Sequence, residues 1–261
     1  TTYENILESV ASTTNIDMVA TTSITLTNSL TFAQTNGQSV TFTATNGNIS
    51  FTDSSDTIET SGGSIVMSAG GTLSVGAMDT NGGDITLTGT DFTLSGALNA
   101  RGGTLTILGG SGETIGLDGT TANTIASTVS TICNGSACGL TLIQSELSNI
   151  TAAKLVIGDS SSGNMYIDGV TLSHISGGVT LNSSGSNGSV EFGTSSSALK
   201  LVTVNAGNGI TVNGDLTIGS SATFNADSDV SGAGTFTMAS SKAITPEDNA
   251  SITIEADDVA I

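Results

Sequence analysis

Tryptophan is absent from this 261-residue chain, proline and histidine occur once each, cysteine twice, and lysine plus arginine only four times. Each scarcity excludes something. Four cations, Arg101, Lys154, Lys200 and Lys242, face 23 acidic residues, a net charge of −19. Nucleic acids and anionic membranes are therefore repelled, and neither nucleic-acid binding nor membrane insertion is expected. Two tyrosines and seven phenylalanines offer few rings to stack on sugars or bases. Few Lys, Arg, Glu and Gln residues leave little to build long helices. No run approaches 18 apolar residues, which excludes a helical membrane span. Thr1 stands first without Met, a basic run or an apolar stretch, so the chain reads as processed or as part of something longer.

What is abundant points one way. Serine and threonine make up 81 residues and glycine 34, and with Val, Ile and Asn they favour strands joined by tight turns. The 36% of apolar residues alternate with polar ones, which separates this chain from a disordered Gly/Ser polymer. Between residues 62 and 121 three blocks align with a twenty-residue period: GGSIVMSAGGTLSVGAMDTN, GGDITLTGTDFTLSGALNAR and GGTLTILGGSGETIGLDGTT. After each Gly pair, Ile65 and Met67, Ile85 and Leu87, and Leu105 and Ile107 occupy alternate positions and so share one strand face. A second strand is predicted at Leu73/Val75, Phe92/Leu94 and Ile115/Leu117, and a short third at Ala77-Met78 and Ala97-Leu98.

One coil cannot bury these side chains against itself, whereas stacked coils line up an aliphatic ladder and pair every backbone group with the neighbouring coil. The fold expected is therefore all-β, a parallel β-helix (β-solenoid) with coils of about 20 residues. The same alternation recurs at SVTFTA, NMYIDG, GVTLN, SVEFG, LVTVN, GITVNG, DLTIG, ATFNA, TFTMA and SITIEA. The organisation expected is coils over residues 1–121, an insertion over 122–145 where alternation weakens, and coils continuous with the first over 146–261.

The stretch 146–169, ELSNITAAKLVIGDSSSGNMYIDG, resembles a recurring unit of filamentous haemagglutinin-like proteins, and GGDITLTG at 82–89 is similar to their shorter repeats. The resemblance implies a right-handed parallel β-helix in a secreted or surface-displayed protein used for adhesion, fibres or matrix. The amino-terminal secretion domain of that family is not in this sequence, and neither end reads as a polar cap. Uncapped solenoid ends pair with whatever strand they meet. The function expected is thus a structural protein of an extracellular filament, surface layer or matrix, or an adhesin stalk segment, assembling through uncapped ends. Partners would be copies of itself, glycans or cell surfaces.

Individual residues carry less. Cys133 and Cys138 flank an Asn-Gly turn in Cys-Asn-Gly-Ser-Ala-Cys, which suits a local disulfide in an oxidising compartment; the other reading is two half-buried thiols. His174 has neither further metal ligands nor an informative serine near it, so a solvated turn explains it better than a zinc or triad site. Asn225, Asp227 and Asp229 alternate as in a calcium loop, yet Val230 and Phe236 stand where an EF-hand needs Gly and Glu. A looser Ca²⁺ site or a solvated acidic turn remain as readings, and no other cofactor is implied. Sequons begin at Asn48, Asn134, Asn149, Asn182, Asn187 and Asn249, about the number that 19 asparagines and 81 hydroxyl residues produce by chance.

No enzyme is expected. Polysaccharide-cleaving β-helices pair acids with basic or aromatic residues that hold the sugar, and here the four cations are far apart in sequence; carbohydrate binding or cleavage is the alternative reading. Ice binding is a further alternative. It calls for an unbroken threonine ladder, and the aligned outward positions Val66, Thr86 and Thr106 give only two rungs.

Overall fold

A computed structural model describes residues 6–118, 138–247 and 250–261. Every strand pair in it is parallel, and the strands stack coil upon coil as a β-solenoid, as the alternation predicts. The chain divides into two compact units, residues 1–108 with 149–154, and residues 109–148 with 155–261.

Three parallel sheets form the first unit. Its long sheet runs through Ile16–Ala20, Ser39–Ala44, Ser64–Ala69, Ile85–Thr88 and Thr104–Leu108. The predicted register is observed: Ile65, Ile85 and Leu105 pair in sequence, as do Met67, Leu87 and Ile107, with no measurable exposure. Val40 and Phe42 extend the two columns. Burying one such Leu, Ile or Phe side chain contributes about 1.5–3 kcal/mol, and each does so only because a neighbouring coil covers it. A second sheet joins Ile24–Leu26, Ile49–Phe51, Leu73–Val75 and Phe92–Leu94. The third contains Leu30–Thr31, Thr57–Glu59, Ala77–Asp79, Leu98–Asn99 and Ile150–Thr151.

The glycine pairs at the corners divide their work. Gly62 and Gly82 hold φ of 107° and 109°, and Asn81 and Arg101 turn their corners at φ 53° and 48°, conformations that favour glycine or asparagine. Gly63, Gly83 and Gly103 stack directly: a Cβ on Gly83 would lie 2.4 Å from the Gly63 carbonyl oxygen, and one on Gly103 would lie 2.3 Å from that of Gly83. Thus the second glycine of each pair is required by the coil beside it rather than by its own φ.

Strand starts are closed by side chains reaching one coil onward. Asn15 Oδ1 accepts the Ser39 N–H, Ser64 Oγ that of Asp84, and Asp84 Oδ1 that of Thr104. On the amino-terminal side, residues 6–15 cover the first coil, contrary to the expectation of a bare end. Leu7 lines one cavity with Met18, Leu26 and Phe42, Glu8 Oε1 accepts the Thr31 N–H at 2.7 Å, and Gln34 Nε2 donates to the carbonyls of Ala11 and Thr14.

In the second unit the long sheet comprises Lys154–Ile157 (from Leu155 on), Val179–Ser183, Val202–Ala206, Ala222–Asn225 and Ile252–Glu255. Its core columns are Leu155, Val179, Val202, Ala222, Ile252 and Ile157, Leu181, Val204, Phe224, Ile254. Phe224 packs between Phe192 and Phe236 at ring-centroid distances of 6.2 and 5.6 Å. The second sheet has the order Leu140–Ile143, Ile115–Asp118, Met165–Asp168, Val190–Phe192, Ile210–Val212, Thr235–Met238, Asp258–Ala260. The third holds Ser197–Leu199, Leu216–Ile218 and Ile244–Pro246.

Two sequence expectations change here. Ile115 and Leu117 do not continue the Leu73–Phe92 ladder; they pair with Leu140 and Leu142 on one side and with Met165 and Ile167 on the other. Leu140–Ile143, expected within an irregular insertion over 122–145, is a strand followed by the one-turn helix Gln144–Leu147. The next rung after Leu98 is Ile150, 52 residues on, so residues 109–148 leave the first unit and the chain returns to finish its coil. The two units divide in sequence at 108/109, 148/149 and 154/155. Among the described residues no helix is long and apolar enough to cross a membrane.

Candidate functional site

Parallel register decides which polar groups meet, because residues paired across coils bring their side chains together on one face. At one corner of the first unit it places Glu59, Asp79 and Asn99 in a column. Arg101, reaching back from its left-handed corner, grips Asp79 with two nitrogens, Nε to Oδ1 at 3.0 Å and Nη2 to Oδ2 at 2.6 Å. Asn99 Nδ2 adds a third bond to Oδ2 at 3.1 Å, and the Asn81 N–H a fourth to Oδ1. The guanidinium bond, against partial burial, holds the Asp79 carboxyl below the usual range. A carboxylate depressed in the fold stabilises above its unfolded pKa, and that stability is lost as pH falls through the folded value. Asp79→Asn is accordingly expected to flatten the acid limb of a stability-versus-pH curve below about pH 4, read by urea midpoints; an unchanged acid limb would show that Asp79 is not the linked group.

The densest polar cluster lies in the second unit and was not anticipated. Register sets Asp118 beside Asp168, and Tyr166 beside Glu191. Asp168 accepts the Ser195 N–H at 2.7 Å and its hydroxyl at 3.0 Å, while Asn213 Nδ2 donates to Glu191 at 3.0 Å. Gly193 leaves room for the ring, since a Cβ there would sit 2.4 Å from Tyr166 Oη. Burial, then the charges of Asp168, Glu191 and Asp118, push the Tyr166 phenol up to about 12. Carboxylates on adjacent rungs are a possible starting geometry for acid–base chemistry, but Asp118 and Glu191 are only 3% and 8% exposed and Tyr166 3%. Asp118, Glu191 and Tyr166 thus lie below the surface rather than lining an open cleft. An alkaline absorbance titration should show Tyr166 ionising near pH 12, with that step absent from Tyr166→Phe; ionisation near the ordinary value of about 10 would contradict the packing. Because the folded pKa is raised, this group's stability is present below the unfolded pKa and is lost as pH rises through the folded value.

His174 is exposed in the turn between buried Leu172 and Ile175. Asp227 turns its carboxylate onto its own loop, Oδ1 accepting the Ser231 N–H at 2.9 Å and Oδ2 that of Gly232 at 3.1 Å; Asn225 Oδ1 takes the Asp227 N–H, and Asp229 Oδ1 lies 3.3 Å from the Ser231 N. These oxygens shape a turn at Val230 (φ 55°) and Gly232 (φ 75°), and among the described residues no group of three or more His, Cys, Asp or Glu is placed to hold a metal ion.

Cys138 is buried, while Cys133, Asn134 and Asn249 lie outside the described residues. Of the remaining sequon asparagines, Asn187 and Asn48 are exposed, Asn48 using its oxygen on the Thr72 N–H. Asn149 Nδ2 donates to the Leu94 carbonyl, and Asn182 Nδ2 to that of Gly158. A groove of about 400 Å³ in the second unit is lined by Ser160–Asn164 and Gly185–Gly188 with Gly112 and Thr114, hydroxyls and amides without a charge.

The outward faces of the long sheets are the most regular surfaces. In the second unit Thr180, Thr203, Thr223 and Thr253 pair rung to rung without interruption. Beside them run Asn182, Asn205, Asn225 and, at the last rung, Glu255, with Asn205 Nδ2 donating to Asn182 Oδ1 at 2.7 Å. In the first unit the corresponding column is Asp17, Thr41, Val66, Thr86, Thr106, whose unbroken threonine run is the two rungs Thr86 and Thr106. No family model, curated protein or solved structure matches this chain.

Proposed function

We propose that this chain is a structural or adhesive β-solenoid, a spacer, fibre or stalk segment of an extracellular filament, surface layer or matrix, of the kind the filamentous haemagglutinin resemblance implies. The observation that carries the reading is where the polar groups go. Asp79, Asp84, Asn15, Asn48 and Asp168 each spend their side chains on the backbone or side chains of a neighbouring coil. Such groups stiffen each unit from coil to coil instead of converging on a substrate.

Self-association is the second part of the proposal. In the coil of Ile244–Pro246, Ile252–Glu255 and Asp258–Ala260, strands lie at sheet edges, Ile252 and Ile254 are half-buried, and Val259 is 54% exposed. An open strand edge with apolar side chains is a template for another coil. Glu8 and Gln34 tie residues 6–15 to the first coil of the first unit, so the proposal places the contact at this second-unit edge. Glu255, Asp257 and Asp258 ring it with negative charge, so salt or divalent cations should favour contact by screening or bridging.

The carbohydrate reading gains no support from ring placement. Phe32, Phe42, Phe92, Phe192, Phe224, Phe236 and Tyr166 are buried, their faces closed to sugar stacking, and Phe51 is half-buried. Electron microscopy of native material with light scattering across ionic strength tests the proposal. Filaments, layers or salt-promoted oligomers are expected; monomers under every condition would count against self-association.

A further inference from the structure

We infer that the outward threonine face of the second unit's long sheet is an ice-binding surface, a property separate from assembly. Parallel pairing spaces Thr180, Thr203, Thr223 and Thr253 at about 4.8 Å along the stack, and the neighbouring column lies about 6.6 Å along the strands. Threonine is stiff at χ1, so each rung presents its hydroxyl and methyl in nearly the same place. Such rows match a ligand whose own oxygen atoms lie in flat rows at closely similar intervals, which is the surface of a water lattice.

Charge and composition narrow the ligand further. In a chain of net charge −19, the central rungs of this face carry only Thr, Asn, Ser221 and Leu201. An ionic surface would find nothing to pair with there, whereas water ordered between methyls and hydroxyls can freeze into register. A crystalline polysaccharide also repeats, but its rings are usually held by aromatic faces, and among the described residues no aromatic ring is among the exposed large apolar side chains. The Asn182–Asn205 bond ties the amide column to itself, keeping it flat. The first unit carries a weaker version of the same array, interrupted where Val66 replaces a hydroxyl with a methyl.

The test is ice-affinity partitioning of the intact chain during slow freezing, with thermal hysteresis measured in parallel. The wild type should concentrate in the ice fraction and facet the crystals. Thr203→Lys with Thr223→Lys should fall to the level of an inert protein, at an unchanged circular dichroism spectrum, while Thr194→Lys on an exposed loop retains the effect. Val66→Thr, which joins Thr41 to Thr86 and Thr106 and leaves the second unit's ladder untouched, should raise hysteresis. Exclusion of the wild type from ice, full activity in the folded double lysine variant, or retention on crystalline chitin or cellulose without ice binding would each overturn the inference.

Discussion

Gly103→Ala is expected to destabilise the first unit by about 3 kcal/mol, while Gly102→Ala, one residue earlier, stays within about 0.5 kcal/mol. Both glycines belong to one corner, and composition cannot tell them apart. A Cβ on Gly102 meets nothing within 4 Å, whereas one on Gly103 meets the Gly83 carbonyl oxygen at 2.3 Å. Relief requires the two coils to separate, which breaks the Thr104 N–H bond to Asp84 Oδ1 and disturbs the Ile85–Leu105 rung beside it. Gly83→Ala, 2.4 Å from the Gly63 oxygen, should behave like Gly103→Ala. Gly82→Ala falls between them because its φ of 109° is strained for alanine although the space is open. Urea unfolding of the four variants checks the order; equal losses at Gly102 and Gly103 would mean that the coils are not in this contact.

Phe224→Ala should cost about 3–5 kcal/mol in the second unit. Its ring is fully buried, stands between Val204 and Ile254 in the core column, and touches Phe192 and Phe236. Each coil presents only a few large side chains to the next, so the cavity has rigid ladders around it and little that can collapse into it. Phe224→Leu should recover most of the loss, and Val230→Ala, at a residue 87% exposed, should change stability by less than about 0.5 kcal/mol. Denaturation monitored by far-ultraviolet circular dichroism reads all three; a Phe224→Ala effect as small as that of Val230→Ala would contradict the core assignment.

The legible part of the fold was the part with constant loop length. At Gly62, Gly82 and Gly102 the twenty-residue interval repeats, so Ile65, Ile85 and Leu105 could be aligned from sequence alone and are paired in the structure. Where corners vary, strand alternation still marked each strand but not its neighbour. Ile115 and Leu117 looked like the next rung after Phe92 and Leu94 because they follow at a similar distance, yet they join a different sheet.

The threonine ladder was hidden for the same reason. Its rungs are 23, 20 and 30 residues apart, and only pairing reveals the column. Asp118 and Asp168, fifty residues apart, end the similar strands IGLD and MYID; that likeness was the available signal for the Tyr166 cluster. The bonds that tie residues 6–15 to the first coil were missed because Glu8 and Gln34 act singly, one carboxylate on a strand-edge N–H and one amide on two carbonyls, without a pattern that repeats.

Everything above rests on coils stacked in parallel, and backbone nuclear Overhauser effects measure that directly in the deuterated, selectively labelled chain. Cross-strand contacts should rise together in residue number, Ile85 with Leu105, Thr86 with Thr106, Leu87 with Ile107, and likewise Thr180 with Thr203 and Thr203 with Thr223. Contacts in which one residue number falls as its partner's rises, the mark of antiparallel hairpins, would contradict the account.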